Sequence, residues 1–213
     1  MPIEKNSPPL MQDKLSKEEI NQLPLVRYEG PVELVRSVEE EAEALEAISK
    51  ENLLGVDTET RPSFKKGRSY LPSILQVATS DKVYLFCFKW YAVGKPVFGV
   101  LENPDIVKTG VALREDIAGL QKIRSFNPNG IVDLATVARQ KSLKHSGLRG
   151  LAALFLHVRI SKMEQCSNWA SKDLTPRQIT YAATDAWISR EIFLSMESHG
   201  LVTRPLDPER GLQ

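Results

Sequence analysis

Leu53-Leu54-Gly55-Val56-Asp57-Thr58-Glu59-Thr60 is a short apolar run that ends abruptly in two carboxylates one residue apart. Side chains alternate sides along an extended strand, so residues i and i+2 share one side. Asp57 and Glu59 can therefore share one ligand. Two like charges that close are costly unless a cation sits between them, and oxygen ligands suit a hard divalent ion. The same residues also fit a strand that leaves the core and starts a solvated loop. The choice turns on whether matching carboxylates follow downstream.

The 213 residues, 42% hydrophobic and 26% charged, read most simply as one globular domain with a real core. Residues 25–199 form its body, residues 1–24 a polar N-terminal extension, loosely packed, and residues 200–213 a C-terminal tail. Lys+Arg 28 against Asp+Glu 27 leaves a formal charge of +1. No global field then draws the chain to nucleic acid or membrane, although a basic rim around an acidic centre is still allowed. Two cysteines, Cys87 and Cys166, suggest neither a disulfide framework nor a thiolate metal site. The sequence has no apolar run that could span a bilayer, and Met1–Asn6 lack the apolar core of a signal peptide. The expectation is a cytoplasmic or otherwise intracellular protein.

Leu25–Tyr28 and Val32–Val35 read as short edge strands. Ser37 and Glu40 have the spacing of a capping box, opening a helix with Val38, Ala42, Leu45 and Ile48 on one face and solvated acids on the other. Strands follow at Leu53–Asp57, Ile74–Ala78 and Val83–Phe88, the last two joined as a hairpin through Thr79–Lys82. The loop Arg61–Tyr70 leaves directly from the acidic pair and is basic, with two aromatics, a make-up that grips single strands by stacking and charge. An ordinary exposed loop has the same composition. Beyond Pro104, a strand at Ile106–Gly110 leads into a helix with Leu113, Ile117 and Leu120 on one face and Asp116 one position off that stripe. A further strand and helix start at Ile131–Asp133, and Leu148–Leu156 reads as a buried helix. After the irregular link Met163–Ser171, the last helix has Thr175 as N-cap, Pro176 at its first position and Gln178 as box partner, and runs to about His199 before Gly200.

Within that helix, Tyr181-Ala182-Ala183-Thr184-Asp185 sets a phenol and a carboxylate four residues apart, on one face. The downstream acids are thus present: Asp57 and Glu59 on a strand, Asp116 near a helix start, and Asp185 behind Tyr181. This order resembles the DEDD superfamily of 3′–5′ exonucleases, which share a ribonuclease H-like fold and are named for four metal-binding acids. Tyr181 four residues before Asp185 is similar to the DEDDy subtype; the other subtype has histidine one residue earlier, where this chain has Thr180. The tract Glu164-Gln165-Cys166-Ser167-Asn168-Trp169, then Leu174-Thr175 and Tyr181–Asp185, resembles Werner-type exonuclease domains, and ribonuclease D catalytic domains share much of it. The resemblance covers roughly residues 32–198. Ala112 stands where relatives often have glycine, a departure that touches no ligand.

The resemblance implies an α/β fold, a central mixed β-sheet flanked by helices, and a two-metal mechanism using Mg²⁺ or Mn²⁺. It implies that Asp57 bridges both ions, that Glu59 and Asp185 complete the first site, and that Asp116 holds the second. Tyr181 would orient the attacking water, its ordinary pKa of about 10 making it a poor general base. The implied activity releases nucleoside 5′-monophosphates from a 3′ end, in single strands or at duplex ends. The Werner-like tract leans to DNA, and a ribonuclease D-like enzyme trimming RNA is the alternative; a non-cutting nucleic-acid-binding module of the same fold would have lost a ligand, and none is lost here. Candidate substrate contacts are Thr58, Asn168, Trp169, Lys65 and Arg68, with Ser167, Lys66, Lys144, Arg149, Lys172 and Arg177 as further possibilities. Trp169 fits the cleft or the core.

Overall fold

The computed structural model describes residues 14–204 apart from Phe64, Lys66 and Arg68. The contacts expected of Lys66 and Arg68, the first thirteen residues of the polar extension and the tail beyond Arg204 lie outside the described residues. Seven helices and six strands follow one another as α1 (Lys17–Gln22), β1 (Val32–Val35), α2 (Val38–Ile48), β2 (Leu53–Thr60), β3 (Pro72–Ala78), β4 (Val83–Cys87), α3 (Lys95–Glu102), β5 (Val107–Gly110), α4 (Arg114–Ile123), β6 (Ile131–Asp133), α5 (Leu134–Gln140), α6 (Leu148–Leu156) and α7 (Pro176–Ser198) among the described residues. None of these helices is long and apolar enough to cross a membrane.

The strands form one mixed sheet in the order β1-β4-β3-β2-β5-β6. β2, β3 and β4 pair antiparallel, the last two through the Thr79–Lys82 turn, whose Thr79 N–H donates to the Lys82 carbonyl at 2.9 Å. β1 joins β4, and β5 and β6 extend from β2, all in parallel. The period-2 alternation of β2 divides the core in two. Leu54 and Val56 face α2, α3 and α4, packing with Ile48, Phe98 and Leu120. Leu53 faces the opposite layer of α5, α6 and α7, with Leu151, Ile188 and Phe193. This is a ribonuclease H-like arrangement, a mixed sheet with helices on both faces.

α7 is closed at its start by the Thr175–Gln178 capping box and ends before Gly200, whose φ of 67° is open to glycine. Three local readings shift. Leu25–Tyr28, expected as an edge strand, forms only a single β-bridge, from Leu25 to Arg159, because this stretch pairs with the link after α6 and not with the sheet. In α2 the buried positions are Glu41, Ala44 and Ile48, while Val38 is 62% exposed. Alanines at 42, 44 and 47 leave the stripe's phase ambiguous, and Glu41 turns inward because its carboxylate accepts the Gly94 N–H at 2.9 Å. Ser37 Oγ does cap Glu40 N–H, but the Glu40 carboxylate accepts from Arg36 N–H instead of from Ser37. In the N-terminal extension, Ser16 and Glu19 form a complete capping box for α1, whose Ile20 is buried. The chain then passes the end of α6 and runs to α7: Val26 N–H donates to the Arg159 carbonyl, Arg159 N–H donates to the Pro24 carbonyl, and Tyr28 N–H donates to Thr184 Oγ1 at 2.9 Å.

Candidate metal centre

β2 carries its carboxylates on the same side as Leu53 and Gly55, so Asp57 and Glu59 point toward α7. Gly55 and the alanines of α7 bring the two backbones together. A Cβ on Gly55 would stand 2.0 Å from the Ala186 carbonyl oxygen, and Ala182, Ala183 and Ala186 are fully buried. That close approach delivers Asp185, beside Ala186, to the end of β2. One carboxylate oxygen each of Asp57, Glu59 and Asp185 then lies within 4.8 Å of the other two.

Asp116 comes from the first turn of α4, on the other side of β2, and is not one of that three-oxygen set. It is near enough to raise the pKa of Asp57. Its Oδ1 accepts a short hydrogen bond from Thr58 Oγ1, so Thr58, between the two β2 acids, faces away from them and tethers the fourth.

Burial and mutual repulsion dominate the electrostatics. Glu59 is pushed up to about 10, first by burial and then by Asp57, Asp185 and Asp116. Asp57 is raised well above the ordinary carboxylate range by burial, Asp185 and Asp116. Asp185 is lifted to about 7 by burial, although the proton of the Tyr181 hydroxyl pulls it back. Burial also raises Asp116 against the opposing pull of Thr58. Tyr181 is raised by burial and by Asp185 and Glu59, so its hydroxyl keeps its proton at any working pH. Among the described residues no lysine or arginine offsets Asp57, Glu59 or Asp185, and the buried Oδ1 of Asp185 has no hydrogen-bond partner. Crowded oxygen donors with an unspent acceptor are what a hard divalent cation requires. The residues present fit such an ion.

The expected substrate contacts divide. Lys65 and Asn168 line one cavity of about 380 Å³ with Arg61, Ser63, Tyr70 and Cys166; the Arg61 guanidinium lies 5.0 Å from the Tyr70 ring centroid. In the sequence Arg61 and Tyr70 read as part of the basic, aromatic loop that leaves Glu59, and Cys166 as part of the Werner-like tract, none of them as an individual contact. Thr58, expected as a substrate contact, donates its hydroxyl to Asp116. Trp169, only 1% exposed, is buried in the core with its ring 6.0 Å from that of Tyr181. Arg177 lines a larger cavity of about 930 Å³ beside Tyr181 and Asp185. Arg149 is bound to Asn21, while Lys144 and Lys172 are exposed.

The family model described as 3'-5' exonuclease matches residues 32–200. The exonuclease mut-7 homolog of Aedes aegypti is 29% identical over 208 residues, spanning 84% of this chain and 28% of that protein. The bifunctional 3'-5' exonuclease/ATP-dependent helicase WRN of Mus musculus is 31% identical over 160 residues, spanning 72% of this chain and 11% of that protein. The chain thus corresponds to a minor part of these relatives' length. Among solved structures, the Aedes aegypti Nibbler EXO domain superposes with a TM-score of 0.73 at 25% identity, covering 81% of this chain and 91% of that one. Escherichia coli RNase D shares the fold, with a TM-score of 0.70 at 22% identity over 80% of this chain and 46% of its own. With the match spanning the whole sheet and all four acids, the chain belongs to the 3'-5' exonuclease family, as a member of the DEDD type.

Proposed function

We propose that this chain is a divalent-cation-dependent 3′–5′ exonuclease that removes nucleoside 5′-monophosphates from the 3′ end of nucleic acid. The observation that carries the reading is the set of three carboxylate oxygens within 4.8 Å, with Tyr181 one helical turn from Asp185. Asp57, Glu59 and Asp185 would hold one Mg²⁺ or Mn²⁺, and Asp57 with Asp116 a second. Such ions activate a water for attack on the terminal phosphorus and neutralise charge building on the leaving oxygen. Tyr181, kept protonated, orients the attacking water by hydrogen bonding and does not act as a base. Thr58 fixes the Asp116 carboxylate, and Trp169 fixes the ring of Tyr181. Arg61 and Lys65 supply positive charge to backbone phosphates beside the acids, and Tyr70 an aromatic face.

The sugar divides this proposal into two readings. The Werner-like tract supports DNA. Ribonuclease D of Escherichia coli, 25% identical over 179 residues and 47% covered by this chain, supports RNA. Degradation of 3′-labelled and 5′-labelled oligonucleotides, in DNA and RNA versions, decides between them. Reactions run with Mg²⁺, with Mn²⁺ and with chelator, and with Asp57→Ala as control. A cation-dependent ladder from the 5′ label and mononucleotide from the 3′ label, both lost in Asp57→Ala, is the expected result. Intact substrate in every lane, with folded protein, would leave a nucleic-acid-binding module.

A further inference from the structure

Gln76 sits in the middle of β3, fully buried, and neither end of its amide has a hydrogen-bond partner among the described residues. It pairs directly with Asp57 on β2. Directly paired residues of an antiparallel ladder project to the same face with their Cβ atoms about 4.5–5.5 Å apart. Gln76 therefore shares the α7 face with Asp57, between Ile74 and Ala78 of its own strand and opposite Leu85 of β4. All three of those neighbours are apolar and buried. A leucine or methionine would complete this layer without an unmet polar group, and burying an unbonded amide is costly.

The unmet groups also cluster. Seven buried side-chain polar atoms lack a partner among the described residues. Four of them, the two of Gln76 together with Trp169 Nε1 and Asp185 Oδ1, belong to the layer between the sheet and α7. That layer ends at the carboxylates.

We propose that Gln76 is a positioning residue of the metal centre, its amide N–H groups donating to the Asp57 carboxylate when that side chain turns to a divalent cation. The proposal rests on the exonuclease reading and extends it to a residue outside the four acids and the tyrosine. As a cation ligand Asp57 would have to hold one orientation, and residues that orient ligands in this way are worth about 10–100-fold in metal affinity or activity.

The test compares wild type with Gln76→Met and Gln76→Leu, which keep the volume and remove the hydrogen bonds. Mn²⁺ binding is read by titration calorimetry, thermal stability is read without cation, and kcat and KM are read on a 5′-labelled oligonucleotide. The expected result is a cation-free Tm equal to or above wild type, an affinity for Mn²⁺ lower by about 10–100-fold, and a fall in kcat at unchanged KM. A purely structural role would lower Tm and leave Mn²⁺ affinity intact in whatever fraction folds. Wild-type Mn²⁺ affinity in either variant overturns the proposal, and Gln76→Met, unbranched like glutamine, decides it should Gln76→Leu fail to fold. Wild type that neither binds Mn²⁺ nor cleaves would overturn the exonuclease reading itself, and the Gln76 role with it. Wild type that does both beside unaffected variants would overturn only the role of Gln76.

Discussion

Gly55→Ala tests whether the close approach of β2 and α7 builds the metal centre. Gly55 is absent from the residues with positive φ, so its backbone accepts alanine and the effect is steric. The new methyl would stand 2.0 Å from the Ala186 carbonyl oxygen and 2.9 Å from Arg190 Cβ. Ordinary contact begins at 3.4 Å, so α7 must retreat by about 1.4 Å. The Arg190 Nε bond to the Leu53 carbonyl, 3.3 Å long, would stretch out of range. Overpacking costs about 1–3 kcal/mol, and a lost hydrogen bond adds about 0.5–1.5 kcal/mol. Together these give a fall in Tm on the order of 5–15 °C for a domain of this size. Asp185 moves with Ala186, and a displacement of about 1 Å at reacting groups costs on the order of 10²-fold in rate. Thermal unfolding with and without Mn²⁺, alongside single-turnover cleavage, measures both effects. Gly99→Ala in α3 is the control, since a Cβ there meets nothing within 4 Å and replaces a helical glycine; it should gain about 0.5–1 kcal/mol. A Gly55→Ala protein with wild-type Tm and rate would refute the argument that this contact positions the site.

The cation-free protein should lose stability as pH rises. Glu59 and Asp185 hold protons in the fold up to about 10 and about 7 that they release, once unfolded, near 4.5 and 3.8. Their contribution is complete below the unfolded values and disappears as pH climbs through the folded ones. Tm without cation should fall between pH 5 and pH 8 while the increment from Mn²⁺ grows; a flat profile would contradict the electrostatics. Thr58→Val removes the tether on Asp116 and should weaken cation binding or activity by about 10–100-fold, with the loss confined to the weaker of two calorimetric sites. An unchanged second site would show that Asp116 needs no tether. Tyr181→Phe should lower kcat by on the order of 10²-fold through lost orientation of the water, with Mn²⁺ affinity retained. A comparable loss of affinity would recast the phenol as part of the cation site.

The strands around the acids were legible because their signals are local. Leu53–Asp57, Ile74–Ala78 and Val83 onward are apolar runs closed by turns, and Thr175-Pro176 with Gln178 announces α7 without any tertiary help. The four acids and Tyr181 were legible through order and spacing. What was not legible depends on contacts between distant residues. The parallel pairing of β1 with β4 leaves no trace in either strand. The Ser16–Glu19 box was readable in principle, but α1 has a single buried apolar side chain and no periodicity to draw the eye. Thr58 reads as an ordinary residue between two acids until α4 brings Asp116 to it. Gln76 is polar within an apolar strand, and only the pairing with Asp57 gives it meaning.

Most of the other elements lie between β2 and α7 in the chain, so Asp185 joins Asp57 and Glu59 only across a long sequence separation. Closing a loop of that length has to precede the contact that rewards it. Until it closes, Asp57 and Glu59 already share a strand, but Asp185 is apart from them and the three-oxygen set is incomplete. If the contact between β2 and α7 is missing from the transition state, a cation bound at the site slows unfolding while leaving the folding rate nearly untouched. Stopped-flow refolding and unfolding would separate the two. The ions that equip this chain for hydrolysis would thus also set how long each folded copy survives.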